Sequence, residues 1–372
     1  MKPAAGRPAP PYEQSTCGDR KLQSITTALC LLAFALVLGL ASSAAEVVVR
    51  PLGPAPRDAD GLFENWIPGL PRAGPSVTLP FFFRRLMATF REPVGIPERV
   101  PPEIARLRAN TTLREPLVTW VGHATLLVQM SHVTFLTDPI WSETAGPAGL
   151  GAKRYDEPGF PIDDLPLIDF VLVSHNHYDH LDLASLTRIS QDHPEARFFV
   201  PLGNAALLQE AGIANVEELD WGDTRKLGEV TVHCLPAQHW SQRGLTDARR
   251  TLWSSWAVTS PERRFYFGGD TGLFAGFDVI GRRLGPFDLS AVPIGAYEPE
   301  AMMFFAHMNP EQAVTAAIAT RARRMLGMHF GTFDLSDEPI DEPPRRFRRA
   351  AKAAGIAEED VWILKLGETR PF

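Results

Sequence analysis

Short apolar runs recur along residues 116–366, each stopped by Gly, Pro, Asp or His. The clearest is Phe170-Val171-Leu172-Val173, a continuous run of the kind that marks a strand buried on both faces. Val118–Val128 reads as two short strands around Gly122, and His132–Thr137 as a third, ending at Asp138-Pro139. Further strands are expected at Arg197–Pro201, Val216–Leu219, Val230–Leu235, Leu252–Thr259, Phe265–Phe267, Leu289–Pro293, Arg324–Met328 and Val361–Leu366. Helical segments alternate with them. Asp182 is placed to cap a helix reaching about Ser190, and Ala205–Ala211 is closed by Gly212. Asn309 and Pro310 open a helix to Ala322, and residues 343–354 form a basic helix. Residues 141–168, rich in Gly, Pro and Asp, read as a long loop of the functional kind. The order gives two successive αβ halves, hence two sheets packed face to face with helices outside.

The N-terminus breaks this pattern. Residues 1–21 are Pro-, Ala- and Gly-rich with Lys2, Arg7, Arg20 and Lys21, too polar to bury a core. Ile25–Leu40 is continuously apolar and leads into Ala41-Ser42-Ser43-Ala44-Ala45. Basic flank, apolar centre and small-residue exit read as an export signal over residues 1–45. A cleaved signal and a retained anchor both remain open. Either puts the following domain outside the cytoplasm, on the periplasmic side in a bacterium. Residues 46–115 form a Pro- and Arg-rich arm with aromatic clusters, Phe63, Trp66 and Ile67, then Phe81–Met87. Such clusters suit either a phospholipid surface or packing onto the arm's own domain, residues 116–372.

The 372 residues and 45% apolar content support a substantial core. A net charge of -7 argues against nucleic acid as a partner. Of the cysteines, Cys17 and Cys30 lie in the leader, which leaves Cys234 alone in the folded part. That excludes both an internal disulfide and a thiolate-rich zinc site.

Directly after the Phe170–Val173 strand comes His175-Asn176-His177-Tyr178-Asp179-His180. Imidazoles and a carboxylate at this spacing suit two ions: His175 and His177 reach one, Asp179 and His180 the other. A pair of ions needs more ligands, and His239, Asp270 and His329 each follow the end of an expected strand. Strand ends on one rim of a sheet sandwich converge in space. His175, His177 and His239 are therefore assigned to the first ion, Asp179, His180 and His329 to the second, and Asp270 to both. His123 is read as a group that hydrogen-bonds a metal carboxylate or the loop backbone, with direct ligation as the other option. His193 and His233 are read as structural. The glycines around Asp270 allow close backbone approach.

These residues resemble the metallo-β-lactamase superfamily, and more closely its N-acyl-phosphatidylethanolamine-hydrolysing phospholipase D members. The likeness runs through TWVGHATLLVQ, FLTDPIW, PIDDLPLIDFVLVSHNHYDHLD, ELDW, PAQHW, LWSSWAV, GGDTGL, IGAYEP and HFGTF. It implies an α/β fold, the four-layer αβ/βα sandwich. It also implies two Zn2+ per chain on the seven residues above, and hydrolysis of a membrane phospholipid at the membrane surface. Phosphatidic acid and N-acylethanolamine would form through attack of a metal-bridging hydroxide, with Asp270 and His307 as catalytic residues. Tyr178 and His307 would be the substrate contacts. Homodimers are common among such proteins. The rival expectation is another hydrolase on the same fold, a lactonase or a soluble phosphodiesterase. The leader is no part of the family pattern, and residues 46–110 match it weakly.

Overall fold

A computed structural model describes residues 51–90, 94, 95 and 97–372. The leader and its apolar run lie outside the described residues. Two helices come first, α1 (Pro75–Ala88) and α2 (Ile104–Leu113). The first half of the domain then contributes β1 (Leu117–Gly122), β2 (Thr125–Met130), β3 (Val133–Thr137), a small hairpin of β4 (Thr144–Ala145) and β5 (Ala152–Lys153), β6 (Phe170–Leu172), α3 (Leu183–Asp192), β7 (Arg197–Pro201), α4 (Ala205–Glu210) and β8 (Val216–Leu219). The second half contributes β9 (Thr224–Leu227), β10 (Val230–Leu235), β11 (Ser255–Thr259), β12 (Arg264–Phe267), α5 (Gly276–Leu284), β13 (Leu289–Pro293), α6 (Glu300–Met303), α7 (Pro310–Ala319), β14 (Met325–Met328), α8 (Glu342–Ala353) and β15 (Val361–Trp362). A last strand, β16 (Thr369–Pro371), crosses back to pair antiparallel with β1.

The strands form two seven-stranded sheets, ordered β16-β1-β2-β3-β6-β7-β8 and β15-β14-β13-β12-β11-β10-β9. Each sheet is antiparallel on one side and parallel on the other: β1 to β3 and β9 to β12 are meanders, while β3-β6-β7-β8 and β12-β13-β14-β15 run parallel. Three apolar cores separate four layers. The central one joins Phe170 and Leu172 of the first sheet to Val230, Val232, Trp256, Phe265 and Phe267 of the second. Alternate residues point outward. Val171 and Val173 pack with Leu186 and Ile189 of α3, and Ala257 and Tyr266 with Phe277 and Ile280 of α5. This two-sided burial is why β6 reads as an unbroken apolar run. The arrangement is the expected αβ/βα sandwich.

Several expected elements differ in detail. Residues 141–168 carry the β4–β5 hairpin and two 3-10 turns rather than loop alone. Asp182 stands at the start of α3 but gives its backbone no side-chain cap; its carboxylate accepts from Ser185 Oγ (2.6 Å) and Ser142 Oγ (2.8 Å) instead. Asn309 does form a capping box with Gln312. The segment after Trp362 leaves the sheet, so the strand expected over Val361–Leu366 is short. In the arm, the apolar residues divide between buried and exposed positions. Phe63, Trp66 and Phe81 are buried against the domain, whereas Leu79, Phe82, Phe83 and Leu86 on α1 are exposed, as is Phe90 just beyond it. Arg84 and Arg85 pair with Asp337 and Asp334. Among the described residues, no helix is long and apolar enough to cross a membrane.

Candidate metal centre

The predicted donors meet at one rim of the sandwich. His175–His180 follows β6, His239 follows β10, Asp270 follows β12 and His329 follows β14. Interatomic contacts sort them into two clusters that share Asp270. In the first, His177 Nδ1 lies 2.8 Å from His175 Nε2 and 3.2 Å from His239 Nε2. In the second, His180 Nε2 lies 3.2 Å from His329 Nε2, 3.1 Å from Asp270 Oδ2 and 3.4 Å from Asp179 Oδ2. Asp270 Oδ1 is 3.0 Å from His329 Nε2, and Asp270 Oδ2 is 3.9 Å from His239 Nε2. All of these residues are buried or nearly so.

Neighbours fix which ring nitrogen carries the proton. Ser174 Oγ donates its only proton to Asp138 Oδ2 at 2.5 Å, so His175 Nδ1–H must donate to Ser174 Oγ at 2.9 Å. His180 Nδ1–H donates to the same Asp138 oxygen at 2.6 Å. His239 Nδ1–H donates to the Ala306 carbonyl at 2.9 Å. Each of these bonds leaves an Nε2 lone pair aimed at the centre of its cluster. Lone pairs that converge at about 3 Å repel unless a proton or a metal cation sits between them. Tetrahedral nitrogen ligands at about 2.0–2.1 Å from a zinc ion stand roughly 3.3 Å apart, so the donors fit such an ion. Asp270 Oδ1 is likewise buried and faces His329 Nε2 at 3.0 Å.

Electrostatics separate the clusters. Burial pushes the pKa values of His175, His177 and His239 down, that of His177 to about 4, which keeps these rings neutral. Burial also opposes charge on His180 and His329, but Asp270 and Asp179 outweigh it and raise both, His329 to about 9. His123 Nε2 sits 3.0 Å from Asp179 Oδ2, the carboxylate contact expected of it; burial nevertheless lowers its pKa to about 3. His123, Asp138 and His329 all hold left-handed backbone, with φ of 54, 36 and 61°. That conformation costs non-glycine residues about 1–2 kcal/mol each. Gly269, at φ 56° beside Asp270, has no room for a side chain: a Cβ there would lie 2.6 Å from Ser174 Cβ.

The two remaining candidates differ in placement. His307 adjoins the cluster, its Nδ1 3.9 Å from Asp270 Oδ2 and without a hydrogen-bond partner. Burial lowers its pKa to about 4. Tyr178 is half-buried and held: Arg243 Cζ stacks 3.9 Å over its ring, and its hydroxyl donates to Arg243 O at 3.3 Å. Arg243 Nη1 also donates to the Asn176 and Leu181 carbonyls, bracketing the metal loop. Sequence reasoning missed Asp138, Ser174 and Arg243. Only Asp138 left a signal, an acid at the tip of a strand, and it was read as a strand end. His193 and His233 stand outside the clusters, His233 bonded to Thr259 Oγ1.

Comparison with known proteins agrees with this fold. A profile described as "Beta-lactamase superfamily domain" matches residues 133–330. N-acyl-phosphatidylethanolamine-hydrolyzing phospholipase D 1 of Caenorhabditis elegans is 45% identical over 238 residues, 61% of this chain and 67% of that one. The mitochondrial N-acyl-phosphatidylethanolamine-hydrolyzing phospholipase D of Saccharomyces cerevisiae is 35% identical over 262 residues, 68% of this chain and 55% of that one. Among solved structures, an isothiocyanate hydrolase from Delia radicum gut bacteria superposes with a TM-score of 0.56 at 21% identity, over 69% of this chain and 99% of that one. That likeness is one of fold. With more than half its length matched and the sandwich and rim in place, the chain belongs to the β-lactamase superfamily and has the metallo-β-lactamase fold.

Proposed function

We propose that this protein is a zinc-dependent phosphodiesterase of the phospholipase D type, acting on N-acyl-phosphatidylethanolamine-like membrane lipids. The observation that carries this reading is the meeting of two donor clusters on one buried carboxylate, Asp270, in a chain 45% identical over 238 residues to an enzyme named for that reaction. His175, His177 and His239 would hold one zinc ion, Asp179, His180 and His329 a second, with Asp270 between them. Such a pair supplies Lewis acidity and a water made acidic near neutral pH.

The protein's own groups set the geometry. Asp138 and Ser174 lock His175 and His180, and the Ala306 carbonyl locks His239, so no ring must turn as substrate arrives. His307 Nδ1, with no partner of its own, would give a hydrogen bond to a phosphate oxygen bound beside Asp270. Tyr178 would meet the lipid head through a ring already fixed by Arg243. In the reaction, a water oxygen forms the new bond to phosphorus. The bond from phosphorus to the N-acylethanolamine oxygen breaks, a proton passes to that oxygen, and phosphatidate remains. The exposed Leu79, Phe82, Phe83 and Leu86 suit contact with a lipid surface. An exported or membrane-anchored chain, argued from the Ile25–Leu40 run, is part of this reading.

The test is incubation of purified, zinc-loaded protein with vesicles of N-acyl-phosphatidylethanolamine, phosphatidylethanolamine or phosphatidylcholine, with a soluble phosphodiester and a lactone in parallel. The expected result is N-acylethanolamine and phosphatidate, identified by mass, from the first vesicles alone. Turnover of the lactone or soluble diester with all lipids intact would overturn the reading in favour of a different hydrolase.

A further inference from the structure

We propose that Asn65, in the N-terminal arm, is a positioning residue for the metal centre: its amide fixes the backbone of His239 and so aims that imidazole at His175 and His177. The inference rests on reading the two clusters as metal positions. Asn65 Nδ2 donates to His239 O at 2.7 Å, and Asn65 Oδ1 accepts the His239 N–H at 2.9 Å. One side chain thus does for one residue what a neighbouring strand does in a sheet. Trp253 Nε1–H donates to the same Oδ1 at 3.0 Å and holds the amide in that orientation. The residue before His239 repeats the pairing in reverse. Gln238 Oε1 accepts the Ile67 N–H, and Gln238 Nε2 donates to Ile67 O, both at 3.2 Å.

His239 needs this support because the sheet does not reach it. The ladder of β10 ends at Leu235, whereas His329 directly follows β14 and His175 is separated from β6 only by Val173 and Ser174. With both backbone polar groups of His239 taken by Asn65 and its ring held by the Ala306 carbonyl, the position of Nε2 is set from outside its own strand. Asn65 also lies outside residues 133–330, which the superfamily profile spans. The arm is thereby made part of the first cluster, and among the described residues it has no such bond to the donors of the second.

The experiment is stepwise zinc binding to the full chain, read by competition with a chromophoric chelator. Wild type, Asn65→Ala, Asn65→Asp and Asp58→Ala are compared, with His175→Ala marking the step that belongs to the first cluster. Asp58 secures the same arm, through Arg249 at 2.8 Å and the Leu62 N–H at 3.0 Å, without touching residues 238 or 239. Asn65→Ala is expected to weaken the first-cluster step about tenfold, the low end for groups that orient a ligand, and to leave the other step and Asp58→Ala unchanged. Asn65→Asp keeps the acceptor but turns a carboxylate oxygen toward the His239 carbonyl, so it should show the same selective loss in at least equal measure, and it decides the matter if Asn65→Ala does not fold. Wild-type affinity in the Asn65 variants, equal weakening of both steps, or the same selective loss in Asp58→Ala would overturn the inference. If the wild type itself took up fewer than two zinc ions, the functional reading beneath it would fall first.

Discussion

The two donor clusters flank one carboxylate, Asp270, yet they are built on different physics. The first is three neutral imidazoles whose charge burial suppresses. The second contains Asp179 and Asp270, with Asp138 behind His180, and its imidazoles gain protons when no ion balances those acids. A divalent ion that displaces those protons meets Asp179 and Asp270 at close range in the second cluster, whereas in the first it meets three neutral rings with Asp270 farther off, 3.9 Å from His239 Nε2. The difference teaches that geometry alone leaves the clusters similar and that electrostatics should rank them: the second is the tighter site, the first the exchangeable one.

Predictions follow that order of consequence. Asp270→Ala should break the comparison outright, because both clusters lose a donor; turnover should fall by about 10^3-fold or more, with both ions lost by elemental analysis. Retention of either ion would show that Asp270 is not shared. Next, graded chelation of the loaded protein should remove one ion before the other, and His175→Ala should abolish the first release while leaving the second in place. Full chelation should then lower the melting temperature, since a ligand held at about 1,000 times its Kd contributes about 4 kcal/mol. Simultaneous release would contradict the ranking. Asp138→Ala should weaken the second cluster about 10- to 100-fold by freeing His180 directly, and the first cluster less, through Ser174 and His175, measured as stepwise zinc affinity.

The smallest effect is a control that keeps acid behaviour of the fold apart from that of the site. His233 lies outside both clusters, and burial pulls its pKa down to about 4. Its neutral form is therefore favoured by folding. The stability it contributes is complete above its unfolded value near 6.5 and is lost as pH falls from there toward 4. Discounted for its partial exposure, the loss is about 1–2 kcal/mol. Chelated His233→Gln should show a flatter stability curve across that window in urea melts, and an unchanged slope would refute the assignment.

How much of this was legible depended on whether a signal was local. The run Phe170–Val173 announces β6 because both its faces are covered, and His175–His180 announces ligands because their spacing serves no core. His239, Asp270 and His329 were legible only jointly, through strand ends that converge. By contrast, α1 was hidden by Pro75 and by Pro80 in its interior. Helix α5 was hidden by Gly276 and Gly281, and the second of these exists for packing: a Cβ there would lie 2.1 Å from the Ala319 carbonyl. The polar strand β9, Thr-Arg-Lys-Leu, carries no apolar alternation because it lies at a sheet edge. Asn65 could not be read at all, since its partner is 174 positions away and no pattern in either segment points to the other.

The crossing of β16 to the first sheet has a consequence for biosynthesis. Every other strand of that sheet lies at or before Leu219, but the outer edge of β1 stays open until Thr369–Pro371 leaves the ribosome. Throughout synthesis of the second half, the nascent first half presents bare backbone donors and acceptors, a template for wrong pairing. Closure of that edge must therefore come late, and this is the stage at which a chaperone would have most to shield.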